Sequence, residues 1–304
     1  MPSCLKYLRR CWVWVRVVPS KLAMCYTHKG RLRGLAGFLF ILTQVSNAAG
    51  AAGEPVSLDT GFHQMYDLDF AAAHKTFEAW ETLHPDDPLG AASNAAAYLF
   101  AEFERLHVLE FDRFTESRRL EDFGELLPDP KTKIAFEGEL AKADTIAANI
   151  LARSSNDCTA LFAKTLTDGL RGNYAALIEK RKHDALNFLK SSRSIAEKLI
   201  AIDPAYYDAY LAVGIENYLL GLRSAPTRWL LRLTGAETNN EKGLANLKIT
   251  AEQGRYLAPY ARVLLAIAYL RDQDRAAAEK LLARLVREFP RNRLYQIELA
   301  RLQS

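Results

Sequence analysis

Few side chains in this sequence are placed as catalytic or metal-binding groups would be. His63 and Asp67 stand four residues apart, so a helix would present them on one face, as it can present two metal ligands. One imidazole and one carboxylate do not complete a metal site, and a surface hydrogen bond between them is the simpler prediction. Acidic residues two positions apart diverge on a helix and form no acid–base pair, which applies to Glu102 with Glu104 and to Glu137 with Glu139.

Two segments concentrate charged residues and are where a divergent enzyme would have its site. They cover about residues 110–131 and 222–239, and their charged residues include Arg118, Arg119, Asp122, Arg228 and Arg232. The sequence has no glycine-rich phosphate loop, nucleophile elbow or His-Glu-x-x-His pattern. We therefore predict a protein that is not an enzyme and that uses no cofactor and no metal. An enzyme or substrate-handling subunit with its site in these two segments stays the alternative.

The basic residues are distributed unevenly along the chain. Of the 40 Lys and Arg residues, eight lie in the first 53 positions, where there is no acidic residue. The remaining 32 stand against 36 acidic residues, so the rest of the chain has a net charge of −4. A mildly acidic body gives no electrostatic argument for binding nucleic acid, and we predict no such partner.

Residues 24–51 have the features of a signal peptide. Three basic residues precede an uncharged apolar run at 35–45, and small residues follow it. That run is too short to cross a bilayer comfortably. We predict an exported protein, periplasmic or secreted, with an uncleaved N-terminal anchor as the alternative. Residues 1–23 are predicted to be a mis-called upstream extension or a disordered leader.

From residue 57 onward, apolar-periodic segments alternate with short breakers, and residues 259–290 form the most regular unit. Counted from Pro259, small residues stand at positions 8 and 20, an aromatic at 11, a large apolar residue at 24 and a proline at 32: Ala266, Ala278, Tyr269, Leu282 and Pro290. Small side chains let two antiparallel helices approach closely, and proline ends the second helix. The unit resembles a tetratricopeptide repeat, and residues 54–85 form a less regular copy with Gly61 and Phe77 at positions 8 and 24.

These patterns predict an all-α fold. We expect a single domain over residues 57–302, an irregular right-handed α-solenoid of about five antiparallel helix pairs with a C-terminal capping helix. The predicted helices are 57–68, 70–82, 88–106, 132–152, 157–170, 174–202, 205–221, 240–254, two within 259–290, and 291–302. Residues 171–173, Arg-Gly-Asn, are expected to break the third pair, and 154–157 to cap the helix that follows.

Residues 205–270 have a narrower resemblance. A helix carrying Gly214 and Leu219-Leu220-Gly221 runs into an insertion containing proline, tryptophan and arginine, and Glu241-Lys242-Gly243-Leu244 follows. This arrangement is similar to the tetratricopeptide family of eukaryotic inclusion-body-clearance proteins, which place an insertion before such a helix.

The resemblance to tetratricopeptide proteins implies that a protein or peptide partner binds in a concave groove lined by the first helices of successive repeats. Groove positions 2, 5, 9 and 12 correspond to Asp208, Leu211, Ile215, Tyr218, Tyr260, Val263, Ile267 and Leu270. None is Lys, Arg or Asn, so the carboxylate clamp of the chaperone-tail-binding members is not expected. Burial of these residues by neighbouring helices is the alternative.

The insertion at 222–239 is the second candidate for contact with a partner. Arg228, Trp229 and Arg232 combine an aromatic ring with cationic groups, as membrane-surface and docking elements do. A short helix folded over the adjacent groove, with solvated arginines, is the alternative. The apolar stretch is too short for stable membrane binding alone, so a membrane-peripheral assembly factor would make only peripheral contact. The function predicted overall is an exported scaffold that binds a protein or peptide.

Overall fold

The computed structural model describes residues 56–109, 126–221 and 240–304, and only the backbone of 216–221 and 240. Within these ranges the chain is all-helical and contains no strand, as predicted. No helix among them is both long and apolar enough to cross a membrane. Residues 53–304 form one compact unit. The predicted leader at 1–23 and signal peptide at 24–51 lie outside the described residues.

The described ranges contain eleven α-helices and one short 3-10 turn, Tyr207–Ala209. The helices are α1 Leu58–Tyr66, α2 Phe70–Leu83, α3 Pro88–Arg105, α4 Pro130–Arg153, α5 Cys158–Leu177, α6 Lys182–Ile202, α7 Tyr210–Gly221, α8 Asn240–Gln253, α9 Ala258–Arg271, α10 Arg275–Glu288 and α11 Arg293–Gln303.

The helices pack as five consecutive pairs followed by a single helix. Each odd-numbered helix from α1 to α9 packs against the even-numbered helix that follows it, and each pair contacts the next one. Helix α11 packs on α10 and ends the array. The first helices also touch one another, α1 against α3 and α3 against α5. The described helices confirm the predicted arrangement of pairs with a C-terminal capping helix.

Short polar side chains set the start of most of these helices. At seven of them a side-chain oxygen of the N-cap residue accepts a hydrogen bond from a backbone N–H in the first turn, which would otherwise have no partner. The seven caps are Ser57, Asp69, Asp87, Asp129, Asp157, Asp274 and Asn292. The cap predicted within residues 154–157 is therefore confirmed at Asp157.

The predicted break at residues 171–173 is wrong. Helix α5 continues through these residues, and the chain turns at 178–181, where Lys180 adopts a positive φ of 57°. A Cβ added to Gly172 would lie 3.2 Å from the Leu189 side chain of α6. The glycine therefore allows α5 and α6 to pack closely and does not end the helix.

Small residues within first helices face large residues of second helices. A Cβ on Gly61 would overlap the ring of Phe77, and a Cβ on Gly214 would lie 2.9 Å from Leu247. Phe77 and Leu247 are both fully buried. The close approach that the sequence pattern predicts between the two helices of a pair is present in the first and fourth pairs.

The beginning of the array meets its end. Asn292, between α10 and α11, donates from Nδ2 to the carbonyl of Tyr66 at 2.7 Å. Arg291 donates from Nε to the Asp67 carboxylate at 2.6 Å. The Phe289 ring lies 5.6 Å from the ring of Tyr66. The C-terminal end of α1 therefore packs against the loop that follows the fifth pair.

The N-terminal end of α1 makes a second contact with this half of the chain. Arg255 binds Asp59 through two hydrogen bonds of 2.6 and 2.9 Å. The Phe62 ring stacks on Tyr256 with their centroids 5.0 Å apart. Helix α1 therefore touches the loop before α9 and the loop after α10.

Candidate binding site between the first helices

The first helices of all five pairs converge on one apolar cavity of about 50 Å3. Its deep wall consists of buried residues from α1, α5, the start of α7 and the segment before α9: Phe62, Tyr66, Phe162, Leu166, Leu211 and Leu257. Well-packed protein interiors have few voids larger than a water molecule, so a cavity of this size is a departure from dense packing.

Another part of the wall is half-buried, and we take it as the side on which the cavity reaches the surface. Phe100 of α3, Asn173 of α5, Ile215 of α7 and Tyr260 of α9 come from four successive first helices. Leu189 of α6 completes this side. We call these five residues the mouth. A segment lying across it would contact four of the five helix pairs at once.

A second cavity of about 30 Å3 adjoins the first. Both are lined by Met65, Tyr66, Phe100 and Tyr260. The Phe100 ring meets Tyr66 edge-on at 6.0 Å and Tyr260 at 5.4 Å between centroids. These three rings therefore form the partition between two connected apolar spaces.

The hydroxyl of Tyr66 is the unusual polar group of this site. Tyr66 is only 3 % exposed, and its Oη is fully buried. Burial raises the pKa of Tyr66 well above its ordinary value, and a hydrogen bond from the backbone N–H of Tyr260 opposes the change.

Asp208 lies on the cavity wall and organises the loop before α9. Its carboxylate accepts backbone N–H hydrogen bonds from Arg255 at 3.0 Å, Tyr256 at 3.1 Å and Leu257 at 2.8 Å. Burial raises the pKa of Asp208, and these three hydrogen bonds oppose the change. Asp208 is only 5 % exposed. Its carboxylate holds this loop in place through the three hydrogen bonds.

The eight groove residues predicted from the sequence occupy different environments. Asp208, Leu211, Ile215 and Tyr260 line the larger cavity, and Val263 lines the smaller one. Ile267 is buried and Leu270 is half-buried, and neither contributes to the walls of these two cavities. The Tyr218 side chain and the insertion residues Arg228, Trp229 and Arg232 lie outside what the structure describes. Most of the two segments considered for an enzyme site, 110–131 and 222–239, also lie outside the described residues.

Sequence reasoning missed the contributions of the first three pairs. Phe100 and Asn173 stand at the mouth, and Tyr66 lies on both cavities. Tyr66 and Phe100 lie on predicted first helices, and Asn173 lies at the wrongly predicted break. The irregular lengths of these helices prevented a count of groove positions from a fixed repeat start. The sequence did contain one indication of these contributions, because the first helix of each of the first three pairs carries an aromatic residue.

The predicted hydrogen bond between His63 and Asp67 is wrong. The Asp67 carboxylate binds Arg291, and the His63 ring packs 5.1 Å from the Phe289 ring. Both residues thus serve the contact between α1 and the end of the fifth pair. Across the described part of the chain, no three His, Cys, Asp or Glu side chains lie close enough to hold a metal ion.

A buried polar cluster joins α2, α3 and α4. His74 donates from Nδ1 to the side-chain oxygen Oδ1 of Asn94 at 2.6 Å. Asn94 in turn donates from Nδ2 to the carboxylate of Glu81 at 3.3 Å. Lys142 forms an ion pair with Glu81. Glu139 lies beside them, and burial together with the charge of Glu81 raises the pKa of Glu139 to about 7. Its Oε2 is buried without a hydrogen-bond partner among the described residues.

Comparison of the sequence with protein-family models and with curated proteins found no match.

Proposed function

We propose that this protein is an exported, non-enzymatic scaffold of the tetratricopeptide type, which binds an apolar segment of a protein partner where its first helices converge. The observation that supports this most is the apolar cavity with its half-buried mouth. Concave, mostly apolar sites with a few polar groups are where proteins bind ligands. Asp208 is the one charged residue on the described part of the wall, which gives no pair of groups for acid–base or nucleophilic chemistry.

The arrangement of the mouth favours an extended or helical segment over a folded surface. Phe100, Asn173, Ile215 and Tyr260 come from consecutive first helices, as they do in the grooves of helical-repeat proteins. A single side chain of the partner would enter the cavity while its backbone crosses the mouth. Such anchoring of one apolar side chain in a preformed pocket is common at protein interfaces.

A substitution that fills the cavity is expected to abolish capture of the partner. Gly169 of α5 lines the cavity, and a Cβ there would meet only Ser192 Oγ, at 3.5 Å. Gly169→Leu should therefore fold and occupy the space, and replacing a helical glycine favours the helix. In a crosslinking pull-down from the native envelope, we expect the yield of partner to fall about tenfold or more.

Gly138→Leu is the matched control for this experiment. Gly138 lies inside α4, and a Cβ there would have no neighbour within 4 Å. The control should capture the partner as the unchanged protein does, with helix content equal for both variants by circular dichroism. A partner retained by Gly169→Leu at the unchanged level would contradict binding at the cavity.

The export part of the proposal has its own test. A chain that starts at Met24 should be shortened near residues 46–51 and should be recovered from the envelope or medium after cell fractionation. Replacing Lys29, Arg31 and Arg33 by glutamate should retain the chain in the cytoplasm, because the positive region of a signal is lost. Full-length protein in the cytoplasm without these changes would exclude export.

A further inference from the structure

We infer that a third cavity, between α4, α5 and α6, binds a small zwitterion with an aromatic ring, the chemistry of a free aromatic amino acid. The cavity measures about 240 Å3. Its wall includes Phe136, Leu140, Tyr174 and Phe188, together with the charged residues Glu137 and Arg181. None of the described residues on its wall lines the two cavities between the first helices, so the inference does not depend on the proposed partner.

The floor of this third cavity is apolar and largely aromatic. The rings of Phe136 on α4 and Tyr174 on α5 stack with their centroids 5.1 Å apart and an angle of 19° between their planes. Both residues are buried, as is Leu140, whereas Phe188 of α6 is half-buried. An aromatic ring of a ligand is favoured on such a floor, because ring pairs attract one another beyond the effect of the apolar area that they bury.

The volume of the cavity fits a ring with a short polar tail. An apolar cavity of about 150 Å3 holds benzene. The third cavity is larger than that by more than half, and each further non-hydrogen atom requires about 10–15 Å3. The remaining space therefore accommodates about six atoms, which is the size of the amino-acid part of phenylalanine.

The rim of the third cavity carries charges of both signs that contact one another. Lys133 lies 3.7 Å from Glu137 and 2.7 Å from Glu179. Glu179 also accepts a hydrogen bond from Arg181 Nε at 2.7 Å. Because both signs are present, a ligand with a single charge meets repulsion as well as attraction at this rim. A ligand with an ammonium and a carboxylate can place each group beside a rim charge of the other sign.

Glu137 and Arg181 keep hydrogen-bonding capacity for a ligand. The Glu137 side chain is 59 % exposed, and its contact with Lys133 is longer than a hydrogen bond. The Arg181 side chain is 56 % exposed. It uses Nε for Glu179 and Nη1 for Asp184, whereas a guanidinium has five N–H donors. The ammonium of the ligand is therefore assigned to Glu137 and its carboxylate to Arg181.

Contacts behind the rim hold Arg181 in place before a ligand binds. The backbone N–H of Arg181 donates to the Ala175 carbonyl of α5 at 2.8 Å. Its guanidinium lies between two carboxylates, those of Glu179 and Asp184. A charged group that is already ordered loses less side-chain entropy on binding, so more of its attraction contributes to affinity.

A series of phenylalanine analogues tests this chemistry on the full chain without any variant. Isothermal titration calorimetry with L-phenylalanine at neutral pH is expected to show saturable binding. 3-Phenylpropanoate lacks the ammonium and phenethylamine lacks the carboxylate, so each should bind about three- to tenfold more weakly. L-Alanine, which lacks the ring, should bind at least about tenfold more weakly, because it leaves the aromatic floor uncovered.

Two variants test the roles assigned to the rim charges. Arg181→Gln should weaken the binding of L-phenylalanine and 3-phenylpropanoate about threefold or more and should not weaken that of phenethylamine. Glu137→Gln should weaken L-phenylalanine and phenethylamine and should not weaken 3-phenylpropanoate. A disturbed fold would weaken all three ligands, so this crossed pattern reports on the charges themselves. Arg153→Gln is the matched control, because Arg153 is exposed at the end of α4 and does not line this cavity. It should bind all three ligands as the unchanged protein does.

Three results would overturn the inference. They are a titration with L-phenylalanine that shows no saturable binding, a singly charged analogue that binds as tightly as L-phenylalanine, and a rim variant that weakens all three ligands equally. N-acetyl-L-phenylalanine amide, which has the ring and neither charge, separates a free amino acid from a phenylalanine within a peptide chain. It should bind at least about tenfold more weakly than L-phenylalanine. Equal binding of the two would contradict a free zwitterion as the ligand.

Discussion

Asp208→Ala is expected to lower the free energy of unfolding by about 3–5 kcal/mol, the largest effect of any single change considered. The substitution leaves the backbone N–H groups of Arg255, Tyr256 and Leu257 without the carboxylate that accepts them, and the bonds from Tyr256 and Leu257 are buried. Each buried donor that loses its acceptor costs about 1–3 kcal/mol, and relaxation of the loop recovers part of the sum.

The measurement is chemical denaturation at neutral pH, and Asp274→Ala is its control. Asp274 is a helix N-cap that is exposed and accepts from one backbone N–H, that of Ala277. Loss of an exposed cap costs about 1 kcal/mol. Asp208→Asn should lie between the two, because its amide retains one acceptor oxygen. Equal losses for Asp208→Ala and Asp274→Ala would contradict the structural role of the buried carboxylate.

The effect of Asp208→Ala should extend to the binding site. The loop that Asp208 holds carries Tyr256, which stacks on Phe62, and Arg255, which binds Asp59. It also provides Leu257 to the deep wall of the cavity. Displacement of this loop would therefore loosen the contact between α1 and the end of the array. We expect the methyl resonance of Met65, which lines both cavities, to shift in Asp208→Ala.

The pairs of helices could be predicted from the sequence because their signals are local. Apolar periodicity, Asp caps and breakers such as His84-Pro85 and Asp203-Pro204 act over a few residues, so most helix ends were predicted within two residues. Gly172 shows where local reasoning fails. A glycine that ends a helix and a glycine that permits close packing have the same signature in one sequence.

The closure of the array could not be predicted in this way. It depends on contacts between residues more than 190 positions apart, such as Tyr66 with Asn292 and Asp59 with Arg255. A repeat pattern fixes how one pair packs on the next, but small changes in each step accumulate along irregular pairs. The regular repeat alone therefore does not predict where α1 meets the loops before α9 and after α10.

Glu139 illustrates a second limit of reading the sequence. On its own helix it stands two residues from Glu137, and side chains at this spacing diverge. The neighbour that affects it is Glu81, 58 positions earlier on α2, and the burial comes from the packing of α2 and α3 onto α4. Neither the burial nor the neighbour has a local signature.

Glu139→Gln is expected to raise the free energy of unfolding at pH 8 by about 1–2 kcal/mol and to leave it unchanged at pH 4. Burial, together with the charges of Glu81 and Glu78, raises the pKa of Glu139 from its ordinary 4.5 to about 7, while Lys142 opposes the change. A carboxyl whose pKa is raised in the folded state favours folding when it is protonated. That contribution is fully present below about pH 4.5 and is lost as the pH rises through 7.

The glutamine variant keeps the shape of the protonated acid and never ionises, so its advantage should appear within this pH window. Denaturation midpoints measured in steps from pH 4 to pH 8 test this directly. Glu137→Gln on the same helix is the control, since Glu137 is largely exposed and its change should stay within about 0.5 kcal/mol at every pH. If the free energies of unfolding of Glu139→Gln and the unchanged protein differed by the same amount from pH 4 to pH 8, the raised pKa of Glu139 would be contradicted.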